Sequence, residues 1–460
     1  MPRRLLLIVI GMIAAGVLLA APAPQDGPKV IRLAPQAKAK EGGAFRYRLL
    51  PDPRDRTPGN AAPLWRLASD AFRDAFREAK HKMTIQEYDW ASTPLQKLPR
   101  KEVRDLLAHY KATFRLARQA ACRERCDWEQ PPLTIQSIEE HLPLGRLQGC
   151  RELANLLCIQ YRLQLVEKRF DDAAETLQIG FALSHDLCSE GTVLQNLVGI
   201  AISAIMLGQV EEWIQTPDSP NLYWVLSALP RPFCDARRSI EHELNTIYRS
   251  YPALRRLRRE TLTERQAEEL AKGVFGYLRK TADEDALKRA RQSLLDLGRS
   301  EKEIDAMPKN QVLLLWYVEE YDRVRDDILK ALTLPTWQAR PLVETAIKDA
   351  RANESTILRL LLPTLEKTWM AHMRSERDFA RIRCAEAFRL YAASHEGKSP
   401  AKWSDITEVP LPLDPLTGKG FDDFYQVKDG RGILEIPPPP PPGMPALLGR
   451  RYELAVAKDR

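Results

Sequence analysis

The chain has 460 residues, 44% of them hydrophobic and 28% charged, and its formal net charge is +7 at pH 7. This balance excludes global disorder, and so small a basic excess over so long a chain does not indicate nucleic acid or any other dedicated anionic partner. The length allows two or three domains or one extended helical array, and the scarcity of glycine, at 22 residues, favours helices over strands.

The first 25 residues have the pattern of an export signal. Arg3 and Arg4 precede an uninterrupted apolar run at residues 5–21, and small residues follow it. Such a run is long for the core of a signal peptide and at the short limit for a membrane-spanning helix. Residues 1–25 are therefore predicted to be either a cleaved signal peptide or an N-terminal anchor with residues 5–21 in the membrane. In both cases the rest of the chain is expected to be exported, either periplasmic or anchored to the inner membrane.

Residues 26–62 are rich in Pro, Ala, Lys and Arg and are predicted to be a linker with little regular structure. A helical domain is predicted over residues 63–375. Its first helix begins at Pro63, with apolar residues at three- and four-residue steps, and a second helix follows Pro99. The predicted fold class is mainly α, an irregular helical bundle or array.

The most apolar interior stretch is VLQNLVGIAISAIMLGQV at residues 193–210, which is predicted to be the central helix of a core at residues 145–230. It contains ten large aliphatic or Met side chains and no charge. A second membrane span is the disfavoured alternative, because Gln195, Asn196 and Ser203 would be unusual in lipid.

One face of this central helix is predicted to pack closely against another helix. Its uncharged polar and small residues fall together within about 100° on a helical wheel: Gln195, Asn196, Gly199 and Ser203. Gly199 and Ser203, four residues apart, leave room for a neighbouring backbone, and Ala204 and Gly208 repeat the spacing.

The predicted partners of the central helix are helices at residues 151–168 and 173–188, with Asp171 and Asp172 capping the second. Residues 157–183 resemble a single tetratricopeptide (TPR) unit. The resemblance rests on Tyr161, the F-D-D-A-A turn, Leu177 and Gly180. No repeat of roughly 34 residues extends from it, so TPR-like hairpins are predicted rather than a TPR array.

After Pro230 the chain becomes highly charged. Residues 254–305 mix acids and bases in the way that solvated helices with i,i+4 pairs do. The apolar run Val312–Val318 and the segment TILRLLLPTLEKTWMAHM, kinked or interrupted at Pro363, then predict further buried helices.

The last part of the chain, residues 376–460, is predicted to be a small α+β unit. A helix at Arg377–His395 is followed by a short helix around Trp403–Ile406, and then by a strand, a glycine turn and a strand. Six consecutive prolines, Pro437–Pro442, must form a stiff polyproline II rod. This rod either docks a partner or spaces the final strand, RRYELAV, from the domain.

The order of elements in this C-terminal unit, with its LDPLTGK segment, resembles the periplasmic part of type II secretion pseudopilins over about 70 residues. The resemblance implies an Asp-Pro-rich loop that leads into a closing hairpin. Pseudopilins begin with a Gly followed by a Phe-Thr-Leu-x-Glu-like methylation motif, which has no counterpart in MPRRLLLIVIG, so assembly into a pilus is not implied.

The whole chain resembles an uncharacterised family of exported helical proteins from planctomycete bacteria. The segments that carry the resemblance are TPGNAAPLWRLASDAF, SPNLYWVLSALPRPFCDARRSIEHE and RLYAASHEGKSPAKW. It implies an exported helical protein and transfers no activity and no catalytic residue.

The seven cysteines are an odd number, which rules out complete intramolecular pairing and argues against a disulfide framework. They are predicted to be small core residues. Cys122 and Cys126 have a C-x3-C spacing. There are two alternatives to the core prediction for these residues. One is a disulfide among Cys122, Cys126 and Cys150, and the other is a metal half-site completed by Cys150, His109 or His141.

Two further His-containing patterns have structural explanations. Cys188 shares a helix turn with His185 but falls on the apolar face, so burial is predicted. His242-Glu243 begins an H-E-x-x-H pattern, but residue 246 is Thr, so the zinc-protease motif is absent.

Ser399 and Lys402 form an S-x-x-K pair beside Pro400, without the S-D-N or K-T-G segments that accompany it in penicillin-binding proteins. No catalytic residue, cofactor or metal site is therefore predicted.

The densest basic cluster comprises Arg255, Arg256, Arg258 and Arg259, with Arg237, Arg238 and Arg249 upstream. It is predicted to be a solvated helix face paired with nearby acids, and an anionic lipid or polysaccharide surface is the alternative. Nucleic acid is not expected to meet an exported protein.

Four aspartates of the C-terminal unit have two interpretations. Asp414, Asp422, Asp423 and Asp429 could present oxygens to a calcium ion, or they serve ordinary turn and capping roles. The sequence does not decide between them.

These observations favour a noncatalytic helical scaffold of the cell envelope that binds another envelope protein through a grooved or concave face. The alternatives are an extracytoplasmic hydrolase, with a site assembled from scattered residues, and an accessory component of a secretion or pilus-like system. A deep pocket in which acidic, His or Ser side chains converge would favour the hydrolase.

Overall fold

The computed structural model describes residues 27–34, 45–78, 90–128, 144–189, 191–278, 284–352, 356–438 and 449–454. The described residues are mainly helical, with 68% of them in helices, and include a small C-terminal sheet unit, which confirms the predicted fold class. The predicted signal peptide or anchor, Pro131-Pro132 and His141 lie outside the described residues.

The helices of the described residues, numbered along the chain, are α1 (Ala61–Glu78), α2 (Arg100–Leu107), α3 (Lys111–Ala121), α4 (Leu144–Val166), α5 (Phe170–Ser189), α6 (Val193–Gln215), α7 (Tyr223–Ser227), α8 (Ala236–Leu244), α9 (Thr246–Ser250), α10 (Glu264–Leu278), α11 (Glu284–Asp296), α12 (Glu301–Asp305), α13 (Lys309–Leu332), α14 (Thr336–Ala352) and α15 (Thr356–Ser394). The strands are β1 (Lys29–Leu33), β2 (Thr57–Asn60), β3 (Arg123–Arg125), β4 (Tyr425–Lys428), β5 (Arg431–Ile436) and β6 (Arg450–Leu454).

The chain divides into two compact units. Of the residues that the structure describes, those up to 128, those from 144 to 236 and those from 369 onward form the first unit, and those from 237 to 368 form the second. The C-terminal α+β segment therefore belongs to the same compact unit as the helices of the predicted core.

The sheet of the first unit has the strand order β1-β6-β5-β4. β1 runs parallel to β6 and aligns Ile31 with Tyr452, and Ile31 and Leu33 are fully buried. The prediction that residues 26–62 lack regular structure is wrong at this strand and at β2, which pairs with β3. The reason is that the partner of β1 lies at the opposite end of the sequence, where no local pattern reveals it.

Strand β6 confirms the predicted final strand, but it lies inside the sheet, between β5 and β1. The alternative in which the prolines space it from the domain is therefore wrong. The guanidinium of Arg377 donates to the carbonyl oxygen of Pro437 at 3.1 Å, which attaches the start of the proline run to α15. Residues 439–442 of the run lie outside the described residues.

The hairpin of β4 and β5 confirms the predicted order of strand, glycine turn and strand. Asp429 and Gly430 form the turn, with φ angles of 53° and 73°, a left-handed conformation that glycine adopts readily and Asp tolerates.

Helix α15 is one continuous helix of 39 residues where two were predicted. It passes through Pro363, so the interruption predicted there does not occur, and the boundary predicted at residue 376 falls inside the helix. An internal proline costs about 3 kcal/mol. The burial of later side chains such as Phe388 and Ile382, both fully buried, offsets that cost.

Helices α4, α5 and α6 pack on one another, as predicted for the central helix and its two partners. A Cβ atom on Gly199 would lie 2.4 Å from Cys188 Sγ and 2.9 Å from the carbonyl oxygen of Ser184. Because a real Cβ does not tolerate such distances, the close approach of α5 at Gly199 requires glycine, and the predicted packing face is confirmed.

The second small-residue pair of α6 does not form such a contact. Gly208 has nothing within 4 Å of an added Cβ, and Ala204 is exposed. Gly208 lies about 180° around the helix from Gly199, so it faces away from α5. The predicted repeat of the groove is wrong.

Asp171 and Asp172 lie in the first turn of α5 rather than at its N-cap. There they face the positive end of the helix dipole, and Asp172 pairs with Arg169 at 2.7 Å. The predicted capping role is therefore replaced by first-turn pairing.

By length and composition, α6 is the one helix among the described residues that could cross a membrane. Within the protein, 67% of its apolar window is buried, which is the behaviour of a core helix.

The second unit has α13 as its buried centre. The predicted apolar run Val312–Val318 is entirely buried, and the side chain of Gln311 accepts from the backbone N–H of Leu262 at 2.8 Å. Helices α10 and α11 are solvated as predicted, with i,i+4 ion pairs such as Arg265–Glu269 in α10.

Candidate functional site

Two of the seven cysteines form a disulfide bond. Cys188, near the end of α5, is bonded to Cys234, in the loop after α7. The two cysteines are 46 residues apart, and all of α6 lies between them. The predicted burial of Cys188 is confirmed, since it is 6% exposed, but the residue is paired in a disulfide and is not an unpaired core cysteine. An odd number of cysteines dispersed along a chain does not reveal which two will meet.

The structure bears on the two alternatives considered for Cys122, Cys126 and Cys150, a disulfide and a metal half-site. Cys122, Cys126 and Cys150 are not disulfide-bonded, so the alternative disulfide among them is not formed. Burial raises the pKa of the Cys150 thiol to about 12, which keeps it protonated and unreactive. In the part of the chain that the structure describes, no group of three or more His, Cys, Asp or Glu side chains could hold a metal ion.

The carboxylate of Glu211, on α6, lies beside three cations, one each from β1, β6 and α15. It lies 2.8 Å from Lys29 Nζ, 2.6 Å from Arg450 Nε and 3.5 Å from Arg381 Nη2. Burial alone would raise the pKa of Glu211, but the charges of these three cations outweigh it and lower the pKa to about 2. The ionised carboxylate therefore ties β1, β6 and α15 to the central helix.

A second buried ion pair joins Glu386 and Arg389 of α15, at 2.8 Å and with both side chains fully buried. Glu386 also accepts from Asn221 Nδ2 at 2.7 Å and from the backbone N–H of Leu222 at 2.9 Å. Arg389 also donates to the carbonyl oxygen of Ser219 at 2.9 Å. Both charged groups therefore make their hydrogen bonds and their ion pair with other groups of the protein.

The aspartates weighed as calcium ligands are used in turns and ion pairs. Asp414 is fully buried, and its carboxylate pairs with Arg377 at 3.0 Å and accepts from the backbone N–H of Leu416 at 3.0 Å. Asp422 lies in a short 3-10 turn with Asp423, and Asp429 occupies the hairpin turn. Among the described residues these four do not assemble into a metal site.

The remaining candidate nucleophile and histidines have structural contacts. Ser399 Oγ accepts from the backbone N–H of Gly432 at 2.8 Å and so fastens the turn after α15 to β5, whereas Lys402 is exposed. His372 is buried, with Nδ1 3.1 Å from the carbonyl oxygen of Cys234. Burial lowers the pKa of His185, whose ring packs against Phe233.

The arginines of the predicted basic cluster have different surroundings. Arg256 pairs with Glu260 at 3.3 Å, as predicted for a solvated face, and Arg249 donates to the carbonyl oxygen of His242 at 2.6 Å. Arg255 and Arg258 instead line a solvent-open pocket of about 210 Å³ in the second unit.

Eight residues line this pocket, three of which are Asn245, Leu254 and Val318. We define the arginine pocket by the other five, which carry its charges and its aromatic ring: Arg255, Arg258, Arg325, Tyr248 and Asp322. Tyr248 comes from α9, Arg255 from the 3-10 helix Pro252–Arg256, and Asp322 and Arg325 from α13. The guanidinium carbons of Arg255 and Arg325 lie 5.9 Å and 5.5 Å from the centre of the Tyr248 ring, within the range of cation–π attraction.

Asp322 is the carboxylate of the pocket, and donors surround it. Its Oδ2 accepts from Arg258 Nη2 at 2.7 Å, and its Oδ1 pairs with Arg325 Nη1 at 2.6 Å and accepts from the hydroxyl of Tyr248. The carboxylate is therefore neutralised by groups of the protein.

Outer carboxylates hold two of the arginines in place. Glu319 forms two hydrogen bonds with Arg258, both 2.8 Å long, and Asp326 pairs with Arg325 at 2.8 Å. Arg255 is exposed and makes no ion pair with any residue that the structure describes. The residues that line the pocket include no Ser, Cys or His, so it offers hydrogen-bond donors and positive charge rather than a nucleophile.

Sequence reasoning singled out Arg255 and Arg258 but not Tyr248, Asp322 or Arg325. The last two lie in VEEYDRVRDD, the charged middle of α13, where acids and bases are mixed as on any solvated helix face. Only the packing of α9 and the 3-10 helix beside α13 distinguishes these side chains from their neighbours.

Comparisons with known proteins add no identification to this geometry: no protein-family model, no curated protein and no solved structure matches the chain.

Proposed function

We propose that the protein is an exported, noncatalytic helical scaffold of the cell envelope that binds another envelope protein. The observation that carries this proposal is the disulfide between Cys188 and Cys234. Disulfides persist in oxidising compartments and are rare in the cytosol. Together with the apolar run that follows Arg3 and Arg4, the bond supports export.

The pairing of buried carboxylates with cations of the same protein supports a scaffold rather than a hydrolase. The carboxylates of Glu211, Glu386 and Asp414 are each 0–1% exposed and paired with a cation. A general acid or base must reach the proton of a bound substrate, which buried and fully paired groups do not do. Their contacts stabilise the fold.

Exposed apolar side chains in the second unit support binding of a protein partner. Trp337 and Leu342 on α14 are 43% and 44% exposed, and Leu334 just before the helix is 36% exposed. Trp337 points away from the buried face of α14, which contains Ala339, Val343 and Ala350. Exposed tryptophan is typical of residues that dominate protein interfaces.

The compartment is tested by thiol labelling of the native, full-length protein in fractionated cells. Cys188 and Cys234 should resist alkylation until a reductant is added, and the protein should be found in the envelope or periplasmic fraction. Cys384, a buried free thiol, serves as the internal control, since it should react after denaturation without reductant. Reduced Cys188 and Cys234 in a full-length cytoplasmic protein would contradict the proposal.

The binding role is tested by placing a photo-crosslinking residue at position 337 in cells. We expect a discrete adduct with another envelope protein, which weakens when Leu334→Ser, three residues before Trp337, is added. The matched control is the same residue at position 302, where Lys302 is exposed on α12. An equal adduct at both positions, or none at position 337, would count against this surface.

A role as an accessory component of a secretion or pilus-like system is the second candidate. It is favoured by the C-terminal segment, in which α15 is followed by the LDPLTGK turn and the hairpin of β4 and β5. If it is right, the adduct should contain a secretion component, and the loss of such components from the envelope should abolish the adduct.

A further inference from the structure

The arginine pocket has the properties of a binding site rather than of a structural ion-pair cluster. Its volume of about 210 Å³ exceeds by several times the roughly 30 Å³ that one water occupies in the liquid. The pocket is open to solvent, and three of its five defining side chains are guanidinium groups. A ligand of several heavy atoms therefore fits beside them.

Two of the guanidinium groups are fixed before any ligand arrives. Nε and Nη2 of Arg258 are occupied by Glu319 and Asp322, so the N–H groups of Nη1 remain for another acceptor. Arg325 is held between Asp322 and Asp326. Because outer carboxylates hold both side chains, a ligand binds them without ordering them first.

The third guanidinium group is available. Arg255 lies against the ring of Tyr248 and forms neither an ion pair nor a hydrogen bond with its side chain to the residues that the structure describes. A guanidinium group has five N–H donors in a planar fork. Asp322, Glu319 and Asp326 equal the three guanidinium groups in number, but all three pair with Arg258 or Arg325. Arg255 is therefore the unpaired cation of the pocket and supplies most of its free donors.

The same contacts indicate that the ligand carries a negative charge. A cation would need the carboxylate of Asp322, but that carboxylate already accepts from Tyr248 and pairs with Arg258 and Arg325. The single hydroxyl hydrogen of Tyr248 is used in that bond as well. Arg255 and Arg258 Nη1 keep guanidinium N–H groups that no described residue accepts. Such groups match the oxygens of phosphate in a bidentate geometry.

We propose that the arginine pocket binds a phosphate group, with Arg255 as its principal contact and Arg258 and Arg325 as preset donors. The group belongs either to a free phosphate or to the headgroup of an anionic lipid. The site is independent of the proposed docking surface around Trp337, and its test does not depend on that surface.

The test uses the full-length protein and inorganic phosphate at low ionic strength, with binding measured by calorimetry. Arg255→Gln should weaken binding about ten- to hundredfold, the effect of losing charge-assisted hydrogen bonds, while the melting temperature stays unchanged. Arg259→Gln is the matched control, since Arg259 is an exposed neighbour that does not line the pocket, and it should alter binding less than about twofold. Equal losses in both variants, or no phosphate binding by the folded protein, would overturn the proposal.

A second arm identifies the source of the phosphate. Vesicles of phosphatidylcholine with and without phosphatidic acid are sedimented with the wild-type protein and both variants. Retention that requires phosphatidic acid and Arg255 assigns a lipid headgroup. Binding of inorganic phosphate through Arg255 without such retention assigns a free phosphate. Vesicle retention that is unaffected by Arg255→Gln would overturn the lipid assignment.

Discussion

Arg389 in the first unit and Arg255 in the second show two opposite uses of one side chain. Arg389 is fully buried, and its guanidinium group donates to Glu386 and Ser219. Arg255 is exposed, lies on the ring of Tyr248 and has no carboxylate partner among the described residues. The difference lies in the acceptors that the fold provides. Where acceptors saturate the guanidinium group it holds elements together, and where they are missing it remains available to a ligand.

Carboxylates of the first unit show the same contrast. Glu211 is surrounded by three cations, which outweigh the effect of burial and lower its pKa to about 2. Asp186 accepts from Trp65 Nε1 at 2.7 Å and has no such set of cations, so burial raises its pKa to about 7. Loss of contact with water raises the pKa of one carboxyl group and is outweighed at the other, depending on the charges that surround each group.

The largest effect is expected from Glu211→Ala. The variant leaves the buried Arg381 and the half-buried Arg450 beside a missing carboxylate, so the free energy of unfolding should fall by about 3–5 kcal/mol, measured by urea titration. The contribution has a defined pH window. Because the folded pKa is below that of an unfolded Glu, the stabilisation is present above about pH 4.5 and is lost as the pH falls toward 2. Glu269→Ala, which removes the exposed pair with Arg265, is the control and should cost less than about 0.5 kcal/mol.

Asp186→Asn should remove a pH dependence of stability. Because the folded pKa of Asp186 is raised, the folded state holds its proton where the unfolded state has lost it, and the wild-type protein loses stability as the pH rises from about 4 to 7. The expected gain of the variant at pH 8 is about 2–4 kcal/mol, from roughly 1.4 kcal/mol per pKa unit. Thermal unfolding from pH 4 to pH 8 measures it. Parallel curves for the two proteins would show that Asp186 is not the group responsible.

Gly199→Leu should destabilise the first unit by overpacking the contact between α5 and α6. The added side chain meets Cys188 Sγ and the backbone of Ser184, and a loss of about 1–3 kcal/mol is expected, visible as a lower melting temperature. Gly208→Leu is the matched control on the same helix. With nothing within 4 Å of its added Cβ, it should be neutral or gain up to about 1 kcal/mol of helix propensity. An unchanged melting temperature for Gly199→Leu would refute the packing.

The smallest effect is expected from Arg255→Gln on stability. Since Arg255 is exposed and has no carboxylate partner among the described residues, its loss should change the free energy of unfolding by less than about 0.5 kcal/mol. Arg389→Gln, by contrast, leaves Glu386 buried without its cation and should cost about 3–5 kcal/mol. Similar values for the two variants would remove the distinction between structural and available arginines.

Sequence patterns predicted those features that depend on neighbours along the chain. The periodicity of residues 193–210 revealed the central helix, and its narrow polar face correctly indicated close packing at Gly199. The alternation of charges after residue 254 predicted solvated helices with i,i+4 pairs. The glycine turn and short strands near Asp429 predicted the hairpin of β4 and β5. Each of these signals arises within a few residues, where helix and strand geometry alone decide which side chains share a face.

Features that depend on distant partners were missed. The sequence does not predict strand β1, because its partner, β6, is more than four hundred residues away. It does not predict the disulfide, because 46 residues separate Cys188 from Cys234. It predicts Arg255 and Arg258 as part of a basic cluster but not the pocket, since Tyr248 and Asp322 are 74 residues apart in the chain and neither belongs to a motif.

The fold class, the central helix and its glycine contact follow from the sequence, because local periodicity and side-chain volume dictate them. The pairing of the cysteines, the cations beside each carboxylate and the absence of a carboxylate beside Arg255 among the described residues follow from the tertiary structure. These outcomes depend on distances between side chains that are remote in sequence. A charge has no fixed role until the surrounding acceptors and the degree of burial are known.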